Sequence, residues 1–228
     1  MEILYEDRRI LVCIKPAGVL STDEPGGMPE LLRSFLGDPQ ACVRTVHRLD
    51  RPVAGVMVFA RSRMAASILS EQMRSRDFQK EYLAVLRGVP AQPEGEFYDL
   101  LLRSRETQTT RVVSEPGKDV QPARLSYRVL AVCDGLSLVR IRLHTGRTHQ
   151  IRVQFSSRGL PLVGDRKYGG DESCPIALWS YRLCFRHPET GQSMDISASP
   201  PRSFPWDLFD FSCLSACAQG CNSGLENV

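Results

Sequence analysis

Val46-His47-Arg48-Leu49-Asp50-Arg51-Pro52 is followed, two residues later, by Gly55-Val56-Met57-Val58-Phe59-Ala60. The second stretch is apolar, unbroken and of strand length, so it reads as a buried strand with Asp50 in the loop just before it. A loop mounted on a buried strand is a rigid place for a reactive side chain. Asp50 is a lone carboxylate hemmed in by His47, Arg48 and Arg51. An acid that works beside a polyanion needs such cations to stay ionised. Taken alone, the four residues His47-Arg48-Leu49-Asp50 equally describe an aspartate that caps a turn in contact with Arg48 or Arg51.

Working outward, Ile10 to Ile14 reads as a strand stopped at Pro16-Ala17-Gly18. Pro29 to Leu36 reads as a short helix with Leu31, Leu32 and Phe35 inward and Gly37 as its stop. Ser62 is a plausible N-cap for a helix that carries Met64, Ile68, Leu69 and Met73 at three- and four-residue spacings. Tyr82 to Leu86 is a further strand, and Leu100 to Val113 suits an exposed hairpin arm bearing Arg103, Arg105 and Arg111. Tyr127 to Val132 and Leu138 to Leu143 flank Asp134-Gly135, a strong hairpin signal. In the second of these strands Val139, Ile141 and Leu143 share one face, and Arg140 and Arg142 the other. His149 to Arg158 reads as a helix with Ile151 and Phe155 inward. Single helices between antiparallel hairpins predict an α+β fold rather than a doubly wound sheet. Residues 1–211 are expected to form one catalytic domain and residues 212–228 a loosely ordered, cysteine-containing tail.

The chain has 228 residues and 42% hydrophobic content, enough for one substantial core. A net charge of +3 does not by itself separate a nucleic-acid binder from an ordinary enzyme. Its distribution says more. Between Asp134 and Asp165 there is no carboxylate, while Arg140, Arg142, Arg147, Arg152, Arg158, His144 and His149 fall there together. That interval is a candidate phosphate-facing surface. No stretch has the length of a membrane span or a secretory apolar region, so a cytoplasmic protein with reduced thiols is expected. Cys13, Cys42, Cys133, Cys174 and Cys184 read as small buried hydrophobes. Cys213, Cys217 and Cys221 recur every fourth residue but lack a fourth metal ligand, so no metal is expected.

Two impostors of the His-Arg-Leu-Asp pattern fail. A protein kinase needs an Asn four residues after the Asp, a glycine-rich phosphate loop and Asp-Phe-Gly, and none is present. A serine hydrolase needs a Gly-x-Ser-x-Gly elbow, also missing. Thr145-Gly146-Arg147-Thr148-His149-Gln150-Ile151-Arg152 is a glycine turn feeding a helix start dense in donors, suited to anions. Arg152 lies three residues from His149 on one helix face, where it could hold and orient a carboxylate. Lys80-Glu81-Tyr82 places a tyrosine at a strand start.

In this order the segments resemble the RluA-type pseudouridine synthases, which isomerise chosen uridines in ribosomal or transfer RNA. The resemblance runs from Leu4 to Phe211. It rests on Lys15-Pro16-Ala17-Gly18, His47-Arg48-Leu49-Asp50, Lys80-Glu81-Tyr82, Gly146 to Val153, and Gly164-Asp165 with Tyr168-Gly169. It implies a pseudouridine synthase fold: a mixed, largely antiparallel sheet with flanking helices and a central basic cleft. It also implies a catalytic set of Asp50, Tyr82 and Arg152. Asp50 would be the reactive carboxylate and Arg152 its partner. Tyr82 would stack on the flipped base and help remove the proton from C5. Arg48 would fill the gap left by the extruded uridine. Apart from the resemblance, charge and donor density make His47 beside it, and Arg140, Arg142, Arg147, His149 and Gln150 of the carboxylate-free interval, candidate RNA contacts.

A base-isomerising enzyme must extrude its target from the stack, and Arg48 is long, planar and cationic enough to replace it. The reaction breaks C1′–N1 and forms C1′–C5 with no change of oxidation state, so no cofactor is expected. Asp50 could add to the base, attack C1′ or take a ribose proton; all three readings stand. The expected partner is structured RNA, in particular a stem-loop, and no obligate protein partner, membrane or separate N-terminal RNA-binding module is expected for what reads as a monomer. The competing class is a non-catalytic RNA-binding or RNA-chaperone protein on the same scaffold. Two departures from the family pattern are present. Val53-Ala54 stands where Thr-Ser is usual, and Gln154 stands where His often follows Arg-Val. The first removes two hydroxyls, so hydrogen bonds to the loop must come from elsewhere.

Overall fold

The apolar run after Asp50 forms the strand Ala54–Ala60, buried along almost its whole length. In the computed structural model, which describes residues 1–169 and 174–211, it lies within a sheet of eleven strands. These are β1 (Ile3–Glu6), β2 (Ile10–Lys15), β3 (Arg44–Thr45), β4 (Ala54–Ala60), β5 (Gln79–Arg87), β6 (Glu94–Arg103), β7 (Thr110–Val113), β8 (Val120–Cys133), β9 (Leu136–Leu143), β10 (Leu178–Arg186) and β11 (Ser193–Ser197). Three α-helices flank the sheet: α1 (Met28–Leu36), α2 (Arg63–Ser75) and α3 (Gln150–Ser156). The strand order is β1-β2-β4-β10-β5-β9-β8-β6-β7, with β3 beside β4 and β11 beside β10. The β4–β10 pairing is parallel, and the other strand pairings among the described residues are antiparallel. The α+β expectation therefore holds.

The hairpin signals are realised locally. Cys133 pairs with Leu136 across Asp134-Gly135, and both loop residues have positive φ, 50° and 75°, as a two-residue primed turn demands. The arm expected between Leu100 and Val113 is the β6–β7 hairpin. Ser62 caps α2 by accepting from the Ala65 N–H at 3.1 Å. The helix faces differ from expectation. In α1, Met28 and Leu32 are buried, whereas Leu31 is 36% and Phe35 52% exposed. In α2 the buried line is Ala65, Leu69 and Gln72, and Met64 faces solvent. Each of these helices covers the sheet along one row of four- and three-residue steps, and apolar residues one step off that row stay outside.

The largest cluster of buried side chains lies on the sheet face that α1 and α3 cover, and includes Met57, Tyr82, Val139, Ile141, Ile151 and Phe155. Phe97, Tyr127 and Phe155 form an aromatic trio with centroids 4.9–5.6 Å apart. Burying Phe155 this way fixes α3 in position, and burial of such a side chain is worth roughly 1.5–3 kcal/mol. Arg158 braces the far end of α3, with its guanidinium 3.9 Å from the Phe97 ring centroid and bonded to Asp99.

The reverse face of the sheet is not simply solvated. Leu83, Val85, Leu138 and Trp179 are covered there by Trp206 and Phe209. Among the cysteines, Cys13 is buried, its thiol pushed up to about 12 by desolvation, but Cys42 is exposed and Cys133, Cys174 and Cys184 are half-buried. Cys213, Cys217 and Cys221 lie outside the described residues. No helix among the described residues is long and apolar enough to cross a membrane.

Candidate active site

Leading into the loop before β4 the backbone alternates. His47 and Leu49 turn inward, while Arg48 is exposed and Asp50 half-buried. This segment is laced to the stretch after β2. Ser21 Oγ accepts from the Leu49 N–H at 3.0 Å and donates to the Leu49 carbonyl at 2.9 Å. Gly18 N–H donates to the Arg51 carbonyl, and Arg51 Nε returns a bond to the Gly18 carbonyl, both at 2.8 Å. Lys15 is wholly buried, and its ammonium donates to the carbonyls of Pro16, Val19 and Arg51 at 2.9, 2.6 and 3.2 Å. Desolvation lowers Lys15 to about 8, opposed by the charge of Asp50, so it remains a cation at neutral pH. These contacts hold the loop without any hydroxyl at positions 53 and 54, and Val53 itself is core.

Asp50 meets Arg152 of α3, with Arg152 Nη1 donating to Asp50 Oδ2 at 3.0 Å. The other edge of the guanidinium is held by Asp165, Nε to Oδ2 at 2.8 Å and Nη2 to Oδ1 at 2.7 Å. Arg152 and Asp165 are buried, whereas the Asp50 side chain is 24% exposed. A guanidinium clamped through two parallel bonds has its plane fixed, so the N–H groups left over, those of Nη1 included, point in set directions. The arrangement therefore orients a carboxylate that is partly open to solvent.

Tyr82 enters from β5, in register with Ser180 on β10 and Ile141 on β9. Its ring is buried, and its phenol is raised by desolvation and by the charge of Asp50, against a Ser180 hydrogen bond that lowers it. At neutral pH it is an O–H donor, not a ready proton acceptor.

Several residues expected to face RNA do other work. His47 is buried, and its Nε2 accepts from the Val58 N–H at 3.2 Å. Gln150 is buried too: its Oε1 accepts from Thr145 Oγ1 and the Arg147 N–H, and its Nε2 donates to the Arg124 carbonyl, which locks the turn before α3. Arg140 is half-buried and paired with Glu81 at 3.0 Å through Nε. The carboxylate-free interval is thus not a free basic surface. The fold delivers Glu81 to Arg140, Asp99 to Arg158, and Asp50 and Asp165 to Arg152. Arg48 and Arg142 are exposed, and Arg147 is half-buried with Nε on the Pro122 carbonyl. His149 reaches the site itself, 3.8 Å from Asp50. Gln154 is wholly buried and donates to Asp99 at 2.7 Å, so it is accommodated.

Composition and spacing gave no role to Lys15, Ser21, Asp165 or Tyr168, although Lys15, Asp165 and Tyr168 stand in the segments that carry the family resemblance.

The model of the RNA pseudouridylate synthase family matches residues 9–157, a span that contains Asp50, Tyr82 and Arg152. The chain is 37% identical over 210 residues to the dual-specificity RNA pseudouridine synthase RluA of Escherichia coli, covering 86% of this chain and 91% of that one. It is also 37% identical over 218 residues to the RNA pseudouridine synthase YhcT of Bacillus subtilis, covering 91% of this chain and 70% of that one. Among solved structures, human RNA pseudouridylate synthase domain containing 4 superposes with a TM-score of 0.76 at 23% identity, over 91% of each chain, which speaks for the fold. An oriented, part-exposed carboxylate, the sheet that carries it and a match across most of the chain agree: the chain belongs to the RNA pseudouridylate synthase family, isomerases that act on RNA.

Proposed function

We propose that this protein isomerises a uridine in a stem-loop of ribosomal or transfer RNA, in the cytoplasm, with Asp50 as the catalytic carboxylate. The observation that carries the reading is the array Asp50–Arg152–Asp165, a part-exposed acid oriented by a buried, bidentately clamped arginine. Uracil in a helix hides C5 and the glycosidic bond, so the nucleotide must leave the stack before Asp50 can reach it. Arg48, exposed two residues before Asp50, is the side chain positioned to fill the gap.

In the reaction C1′–N1 breaks, the freed uracil turns within the cleft, and C1′–C5 forms. The C5 proton leaves and N1 gains one, so atoms and charge balance without an oxidant or reductant. Asp50 serves this sequence as nucleophile or base. Arg152 fixes the direction of its attack, and Lys15 and Ser21 fix the loop that carries it. Tyr82 lines the site as a neutral phenol on whose ring the extruded base stacks. Exposed Arg48, Arg51 and Arg142 supply phosphate contacts, with Arg105 and Arg111 on the β6–β7 arm as a second set.

The test is a map of pseudouridine in ribosomal and transfer RNA from cells with the gene, without it, and without it but supplied with Asp50→Asn. The expected result is one or a few positions that are present with the gene, vanish on deletion and stay absent when only Asp50→Asn is supplied. Maps that are identical in all three would contradict the proposal.

A further inference from the structure

Arg152 is not alone beside Asp50. His149 Nε2 lies 3.8 Å from Asp50 Oδ2, and His149 Nδ1 lies 2.8 Å from Tyr168 Oη. The same phenolic oxygen accepts the backbone N–H of Thr110, the first residue of β7, at 2.7 Å. The His149 and Tyr168 rings meet edge-on, with centroids 5.5 Å apart and planes at 76°, and the Arg152 guanidinium sits 5.1 Å from the Tyr168 ring centroid. His149 also occupies the left-handed region, at φ 56° and ψ 22°. That backbone is uncommon outside glycine, and histidine is among the few other residue types enriched in it.

Counting donors and acceptors fixes the tautomer. Tyr168 Oη already accepts from Thr110, so its own proton is available to His149 Nδ1. The Asp50 carboxylate accepts only, so a lone pair on Nε2 would face it unfavourably. Both neighbours are satisfied when Tyr168 donates to Nδ1 and Nε2 carries the proton toward Asp50. Desolvation lowers His149, against the opposing charge of Asp50, which favours the neutral ring that this scheme needs.

We propose that His149, oriented by Tyr168 and through it by the Thr110 backbone, is a positioning residue that offers Asp50 a second N–H donor. At 3.8 Å the donor needs a shift of under about 1 Å to reach hydrogen-bonding distance. Asp50 Oδ2 thus faces two donors, Arg152 Nη1 at 3.0 Å and His149 Nε2 at 3.8 Å, the first bonded and the second within reach. The inference rests on Asp50 being the catalytic acid.

Two variants isolate the contact. His149→Asn retains a residue that tolerates the left-handed backbone but cannot reach Asp50. Tyr168→Phe keeps the ring under Arg152 and removes the hydroxyl. Each is assayed by tritium release from substrate RNA labelled at uracil C5, at a temperature where circular dichroism shows it folded. Each should lower kcat by about ten- to a hundredfold with KM and RNA affinity unchanged. The double variant should be no slower than the slower single, because both remove one chain of bonds. Wild-type kcat in both single variants, losses that multiply in the double, or a loss confined to RNA affinity would overturn the proposal. Asp50→Asn, run alongside, separates the two levels. If it is inactive while the His149 and Tyr168 variants are normal, the positioning role alone falls; if it turns over normally, the reading of Asp50 falls and the positioning role with it.

Discussion

His47 and Arg48 are adjacent in sequence and opposite in function. Arg48 is solvent-facing; His47 is buried against Phe78, with ring centroids 5.7 Å apart, and accepts the Val58 N–H. Desolvation, reinforced by the charge of Lys80, lowers His47 to about 3, so the folded protein keeps this ring neutral where an unfolded chain would protonate it near 6.5. Between those two values the unfolded state binds the extra proton, and stability is therefore lost as pH falls through the window. His47→Gln, which keeps an acceptor for Val58, should unfold in urea with a shallower loss between pH 6 and pH 4. The difference should approach about 1.4 kcal/mol per pH unit, one proton's worth. Equal slopes would mean that His47 does not carry this acid sensitivity. Sequence pattern placed His47 on the RNA because it counts cations; it does not say which alternate residue of a loop turns inward.

The elements around the site depend on one close approach. β4 and β10 run parallel at Ala54↔Trp179 and Gly55↔Ser180, and Ser180 Oγ donates to the Val56 carbonyl at 2.9 Å. Gly55 has φ 125°, and a Cβ there would stand 2.4 Å from the Ser180 carbonyl oxygen and 2.5 Å from its nitrogen. Gly55→Ala should therefore lower the urea midpoint, with a loss of more than about 1 kcal/mol, because both the backbone and the space are unsuited to a side chain. An unchanged midpoint would show that β10 can move away at little cost. Element type was legible from period and turn chemistry: the Asp134-Gly135 hairpin, the Ser62 cap and the run after Asp50 all formed as expected. The inward faces of α1 and α2 were not, since apolar residues at helical spacing fit several rows and only the sheet's position selects one. The parallel contact of β4 with β10 was also invisible, because the two strands are more than a hundred residues apart in the chain.

At the scale of the molecule, 29 basic and 26 acidic residues nearly cancel, and the fold decides which cations remain for RNA. Arg140, Arg152 and Arg158 look alike in sequence, yet each is taken by a carboxylate that comes from outside the basic interval. What remains is a site whose acid comes from the β4 loop, whose arginine comes from α3, and whose clamp, Asp165, follows thirteen residues after that arginine. The pairing of Asp50 with Arg152 was expected from the family resemblance. The Lys15 carbonyl cage and the Asp165 clamp were not, because bonds to backbone carbonyls and to a buried partner leave no signature in composition or spacing.

Isomerisation by this oriented carboxylate is read directly by tritium release from RNA labelled at uracil C5. Asp50→Asn should bind that RNA as the wild type does and release no tritium, since the amide keeps the shape of the side chain and loses the nucleophile or base. Release by Asp50→Asn at the wild-type rate would contradict the account.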